Sequence, residues 1–548
     1  MILASTRLPG GERGEGRAAV TVAVMVATFL TAMDMSVVNT AIPTIVGNLG
    51  GMQLFSWLIS AYLLTSATTV PIYGKLADLY GRKRVFVVAT LLFLAGSALS
   101  GQAHSMEQLI AYRALQGIGA GGVQPITATI IGDIFTLEER ARMQGLFSSV
   151  WGVSAIIGPA VGGFIVDALS WRWIFYINLP LGLAAVLLVA RYLVEPVQEH
   201  RRPPIDVAGP VTLSISVVAL LLALTLLAQG APLASGQVLP LLAAFAAGGA
   251  AFLWAERRAA EPMLPFDLFA NRIVLVASLV GLLSGAAMTG MTTFVPMFVQ
   301  GVQLGTASTA GSVVAPMSVG WPLGSILCGR LVLRTGYRRM VVLGMALDLA
   351  ASFLALSLGP GTPLPFTVGV MVLMGLGLGF SSTALLIGIQ SSVPWGRRGV
   401  VTALNQFVRN LGSTVGVSAL SLLLDARLLA VLSPLALAGR LPRGSNPVSD
   451  INALLDPTQR PHLPATYREL LQGALGSSLH VTYWGIAALG VAGLALALLT
   501  PGGDPARYAV EERPGERPAA GPAPRQGEQP VGGGVAAPGT ATTGREGR

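Results

Sequence analysis

The chain has 548 residues, of which 53% are hydrophobic and only 11% charged, and its mean hydropathy is +0.67. Soluble domains carry about 25% charged residues, so the composition excludes a string of soluble domains and indicates a polytopic membrane protein. The net charge of +9 does not indicate a nucleic-acid partner, because Lys and Arg sit in short loops between apolar runs, where they set membrane orientation.

One cysteine, Cys328, excludes an internal disulfide framework and a multi-cysteine metal site. The four histidines are scattered without metal-ligand spacing. No cofactor or metal is expected. No G-x-x-x-x-G-K-[ST] loop is present, so ATP is not the expected energy source.

Residues 1–17 lack the apolar core of a signal peptide and read as a cytoplasmic tail. Spanning a bilayer core takes about 20 apolar residues in a helix. That rule predicts about fourteen spans, near 19–46, 56–76, 85–103, 108–132, 142–167, 173–193, 207–228, 237–255, 273–297, 308–331, 340–358, 365–389, 400–424 and 479–499. Alternate loops are basic, as in GRKR (81–84), LEERAR (137–142) and RTGYRR (334–339), whereas GNLGG (47–51) and LGPGTP (358–363) carry no charge. The basic set faces the cytoplasm, which puts both termini there. Residues 426–478 read as a long extracytoplasmic connection. Residues 501–548, rich in Gly, Pro, Ala, Glu and Arg, cannot bury a core and read as a disordered tail.

The first span holds one charge, Asp34, roughly 20–24 Å along the helix counted from Ala18. A carboxylate near mid-bilayer is expensive, and an intramembrane ionisable group marks a functional site by default. Desolvation favours the neutral acid, and a nearby cation such as Arg113 opposes it. A group poised between those pulls can take a proton on one side and release it on the other.

GKLADLYGRKR (74–84) recurs loosely as GRLVLRTGYRR (329–339). RARMQGLFSSVWGVSAIIG (140–158) pairs with RGVVTALNQFVRNLGSTVG (398–416) in the same order. Such repeats predict two related six-helix bundles with a site between them. The expected organisation is an N-terminal bundle over 18–193, an inserted helix pair within 194–260, and a C-terminal bundle over 261–500.

Four stretches together resemble the major facilitator superfamily, in particular its fourteen-helix drug:proton antiporters, over roughly residues 18–500. GKLADLYGRKRV (74–85) is similar to the superfamily's loop between helices two and three. The resemblance implies a latch made by Gly74, Asp78, Gly81, Arg82, Lys83 and Arg84, with Asp78 bonding Arg82 or a partner from Arg140 or Arg142. The C-terminal copy has Leu333 in place of Asp78. LIAYRALQGIGAGGVQP (109–125) carries Arg113, whose family counterpart is implicated in proton transfer; snorkelling to the outer interface is the plainer alternative. GVSAIIGPAVGGF (152–164) resembles the antiporter motif, with Gly152, Gly158, Gly162 and Gly163 giving a smooth packing face and Pro159 a kink. MDMSVVNTAIP (33–43) resembles the family's first-helix motif and contains Asp34 and Asn39.

The implied activity is export of hydrophobic or cationic amphiphiles in exchange for protons, by a non-enzymatic, multi-pass plasma-membrane carrier, expected to act as a monomer. Export of a native lipid, siderophore or metabolite is the alternative, and an integral-membrane transferase a more distant one. Substrate-binding candidates are Asn39, Tyr62, Gln124, Phe294, Met297, Phe298, Met317, Trp321, Asn405, Gln406 and Arg409. Met and aromatic side chains suit varied apolar guests but are individually more often packing residues. Asp348, deep in the eleventh span, has no role in this reading.

Overall fold

The structure, a computed structural model, describes residues 10–50, 54–195, 208–228, 231–259, 262, 264–437, 451, 453–455 and 460–502. Among these the chain is helical. The helices are α1 (Gly10–Leu49), α2 (Phe55–Tyr80), α3 (Arg82–Gly101), α4 (Met106–Ile134), α5 (Leu137–Ala168), α6 (Trp173–Tyr176 continued by Asn178–Tyr192), α7 (Ala208–Ala228) and α8 (Val238–Arg258). They continue with α9 (Arg272–Gly301), α10 (Ala307–Val314 continued by Met317–Thr335), α11 (Tyr337–Ala355), α12 (Leu364–Ser391), α13 (Arg398–Leu437) and α14 (Ala465–Ala497). Nine helices among the described residues are long and apolar enough to cross a membrane.

Local sequence explains where the chain turns. Ser105 caps α4 by accepting the Gln108 N–H. Thr136 and Glu139 form a reciprocal capping box at the start of α5, which satisfies two backbone donors that the first turn leaves free. The α2–α3 and α10–α11 turns each pivot on a glycine with positive φ, Gly81 at 90° and Gly336 at 88°. Any side chain there would be strained. The two turns lie at matching places in the sequence repeat, so the repeat is one of backbone geometry as well as of letters.

Bundle interiors rest on close glycine crossings. A Cβ on Gly119 of α4 would lie 2.2 Å from the Phe93 nitrogen of α3, and one on Gly377 of α12 would lie 2.7 Å from the Gly344 oxygen of α11. The same crossing is thus built twice. Helices α7 and α8 pack on each other, with Gly248 against Ser216, and α7 also touches α2 and α13.

Several expected boundaries move. Helix α1 begins at Gly10, inside the segment read as a tail. Helix α13 runs on to Leu437 and α14 begins at Ala465, so the connection between them covers 438–464 rather than 426–478. Part of that connection is docked. Ile451 and Leu454 join the core of the C-terminal bundle, and Arg460 donates to the carbonyls of Gln300, Leu304, Gly305 and Leu454. The linker 196–207, the bulk of 438–459 and the tail 503–548 lie outside the described residues.

Candidate functional site

Asp34 on α1 and Arg113 on α4 are both almost fully buried, at 2% and 1% exposure. Arg113 Nη1 lies 2.5 Å from Asp34 Oδ2. The other carboxylate oxygen accepts from Gln116 Nε2 at 2.8 Å and from Asn178 Nδ2 at 3.2 Å. Arg113 also donates to Gln116 Oε1 at 2.7 Å, and its guanidinium lies 4.2 Å from the centroid of the Tyr62 ring. Asn178 is tied to Ser97, whose hydroxyl donates to the Phe175 carbonyl. One network therefore joins α1, α3, α4 and α6 around a single ion pair. Its burial removes the alternative in which Arg113 snorkels to an interface.

Sequence reading found Asp34, Arg113 and Tyr62 but missed Gln116, Asn178 and Ser97. Gln116 sits three residues after Arg113 on one helix face, a spacing that could have flagged it. Asn178 and Ser97 are brought in only by the tertiary fold.

The residues expected to form a latch lie at the end of the bundles that carries the basic loops. Asp78 is buried, and its oxygens accept the backbone N–H groups of Gly399 at 3.1 Å and Val400 at 2.8 Å. These are first-turn donors of α13, which no carbonyl within that helix can satisfy. Arg82 bridges Asp78 at 2.8 Å and Asp133 at 2.9 Å, donates to the Trp395 carbonyl, and stacks 3.6 Å from the Trp395 ring centroid. Arg398 reaches Asp133 from the other bundle.

Gly74 faces Gly399 and Ala403, and a Cβ on it would lie 2.4 Å from the Ala403 Cβ. Of the expected partners, Arg82 takes the Asp78 carboxylate, while Arg140 donates to the Phe135 carbonyl. Lys83 is half-buried and Arg84 exposed, and the Lys83 backbone N–H donates to Glu195. The Arg142 side chain lies outside the described residues. Trp395, Asp133, Arg398 and the α13 N-terminus were not foreseen, because nothing local in the sequence links them to residues 74–84.

The bonds joining the bundles continue from this end to mid-depth: Gln390 donates to the Ala128 carbonyl, and Ser148 to Ser325. The two bundles are therefore bonded together from the basic end to mid-depth.

Helix α5 packs in two directions. A Cβ on Gly152 would lie 2.4 Å from the Ser318 carbonyl oxygen of α10, and one on Gly145 would lie 2.4 Å from Ile326. Farther along, Gly158 abuts Ser36 and Gly162 abuts Thr40 and Val37, all on α1. Gly163 has open space around it. The Pro159 side chain lies outside the described residues, as does that of Asn39. Helix α5 thus touches the opposite bundle with one half and the helix carrying Asp34 with the other.

The substrate candidates divide. Phe294, Phe298 and Met317 are buried in the hydrophobic core of the C-terminal bundle, with Met297 packed against it. In this structure they pack within that core, and the Tyr483 hydroxyl of α14 donates to the Phe294 carbonyl. Tyr62 is likewise buried, over Arg113. Asn405 turns inward and donates to the Ala277 carbonyl of α9. Gln124, Trp321, Gln406 and Arg409 are half-buried. Arg409 donates to Gln406 Oε1 at 2.6 Å and lies 5.7 Å from the Trp321 ring centroid. Asp348 is buried against Gly377, and neither carboxylate oxygen has a hydrogen-bond partner among the described residues.

Comparison with known proteins bears on the family and the fold. Residues 24–417 match the family model described as Major Facilitator Superfamily. The chain is 37% identical over 499 residues to "Multidrug transporter protein MdtP" of Bacillus subtilis (strain 168), covering 87% of this chain and 92% of the relative. It is 36% identical over 399 residues to "Multidrug resistance protein 3" of the same organism, covering 73% and 78%. Among solved structures, the human organic anion transporter MFSD10 aligns with a TM-score of 0.56 at 16% identity, over 90% of this chain and all of that one. The proton:xylose symporter XylE aligns with a TM-score of 0.56 at 11% identity, over 88% and 95%.

Proposed function

The chain belongs to the major facilitator superfamily, and we propose that it is a secondary active exporter of amphiphilic compounds that exchanges them for protons. It is a multi-pass membrane transporter of the multidrug efflux type in the plasma membrane. The proton-coupled cycle is our reading. The buried Asp34–Arg113 pair supports it most directly.

A structural pair of this kind is a weak source of stability, because desolvating two charges costs about as much as their attraction returns. A pair that breaks when one partner takes a proton is a switch. Protonation of Asp34 releases one contact to Arg113 and leaves the guanidinium held by Gln116 and the Tyr62 ring. The change reaches the seam through α1, because Ser36 and Thr40 lie within two turns of Asp34 and pack on α5. Helix α5 in turn packs on α10 of the other bundle. The latch of Asp78, Arg82 and the α13 N-terminus then opens as the bundles rock.

The test is uptake of rhodamine 6G into inside-out proteoliposomes, with an acid interior or with none imposed. Uptake that follows the gradient supports exchange. Uptake equal with and without the gradient excludes proton coupling.

A further inference from the structure

We propose that Arg409, with Gln406, Asn410 and Trp321, is a receptor for an acidic group on the exported amphiphile, which deepens and rests on the reading of the chain as an exporter. The placement follows from one helix face. Gly399 and Ala403 of α13 lie against Asp78 and Gly74 of α2. Gln406 and Asn410 continue that stripe at helical spacing, so they face the other bundle beyond the latch. Arg409 stands about 9 Å from Ala403 along the axis. Its backbone carbonyl rests against Gly285 of α9, and its guanidinium leans toward Trp321 of α10. Trp321 lies beside Pro322, which is near Gly152 of α5. The group therefore sits at mid-depth, where the closed half of the seam ends.

This cation is unbalanced. Among the described residues its guanidinium meets neutral groups, Gln406 and the Trp321 ring. Asp34 is engaged by Arg113, Gln116 and Asn178. Asp348 is buried between α11 and α12. A guanidinium within a membrane domain seeks an anion, and its fork matches a carboxylate by two parallel N–H bonds. Gln406 and Asn410 are joined by a hydrogen bond of 3.1 Å and hold the fork in place. Trp321 offers a flat apolar face to the ring system that carries the acid. The guest assigned here is a carboxylate-bearing amphiphile, which departs from the cationic guests expected from sequence.

Two dyes of one scaffold test this: rhodamine B, with a free carboxylate, and its ethyl ester. Equilibrium binding to the purified full chain is read by fluorescence anisotropy, with no gradient present. The wild type binds the acid about tenfold more tightly than the ester, and Arg409→Gln removes that preference by weakening the acid more than the ester. Arg409→Lys retains part of the preference. Equal binding of the two dyes by the wild type overturns the receptor, as does an equal loss for both dyes in Arg409→Gln. The dye comparison in the wild type stands even if the variant fails to fold. Gradient-driven uptake of the same dyes is read separately. Acid preference without uptake removes the exporter reading and leaves the receptor; driven uptake without acid preference does the reverse.

Discussion

The two bundles share a scaffold and differ in how they hold charge. In the N-terminal bundle, Asp34 and Arg113 form a closed pair with every carboxylate oxygen engaged. In the C-terminal bundle, among the described residues, Arg409 contacts the neutral Gln406 and Trp321, and the Asp348 carboxylate has no hydrogen-bond partner. The seam shows the same asymmetry. Asp78 caps α13 across the α2–α13 contact, whereas Leu333 occupies the repeat position on α10 beside α5. Helix crossings and glycine turns recur because packing needs them twice, whereas the buried charges do not repeat.

The largest effect is expected where the closed pair is broken. Asp34→Ala leaves Arg113 buried without its anion, which costs about 3–5 kcal/mol, read as a fall in the thermal unfolding midpoint together with loss of driven transport. An unchanged midpoint would mean that the bundle tolerates the bare guanidinium and that the pair is not what organises it. Phe294→Ala is next, at about 3 kcal/mol from the cavity left in the C-terminal core. Its substrate range should match the wild type, since the side chain packs rather than lines; an altered range would restore it as a binding residue.

The latch gives a smaller and more directional effect. Asp78→Leu makes the N-terminal copy resemble the C-terminal one and removes two hydrogen bonds to the α13 N-terminus, worth about 1–3 kcal/mol toward the closed basic end. Accessibility of a cysteine introduced at Ser148, labelled from the basic side, should rise. Leu333→Asp should not reproduce that rise, because repeat position alone does not supply a donor. Gly74→Ala should also raise labelling, through its contacts with Ala403 and the Gly399 carbonyl, and Ala403→Gly should reverse it in part.

The smallest effect lies at the exposed start of α5. The Thr136 backbone N–H, and then the Arg17 guanidinium, hold the Glu139 carboxyl below the ordinary carboxylate range. A depressed folded value contributes stability above the unfolded value and loses it as pH falls through the folded one. Glu139→Gln should therefore trail the wild type slightly at neutral pH and converge with it in acid. A constant gap across pH would remove the carboxylate's charge as the cause.

Much of this was legible in the sequence. Hydropathy marked the helices, and the repeat marked the matching turns at Gly81 and Gly336, because both signals are local. Asp34 and Arg113 were found because a lone charge in an apolar run has no local explanation. Their union was only partly legible: Gln116 shares a helix face with Arg113, but Asn178 and Ser97 come from helices that distance along the chain does not connect. The partners of Asp78 were invisible for a related reason: they are backbone N–H groups, which every residue but proline carries. The surroundings of Phe294, Phe298 and Met317 were not legible at all. An apolar side chain in a membrane helix reads the same whether it faces a cavity, lipid or core, and only packing separates the three.

The central claim is that Asp34 carries the exchanged proton. Purified full-length protein in weakly buffered detergent, with pyranine reporting pH, should release protons when a transported dye is added, and Asp34→Asn should release none while still binding the dye. Equal proton release from Asp34→Asn and the wild type would contradict the account and place the exchanged proton on another group.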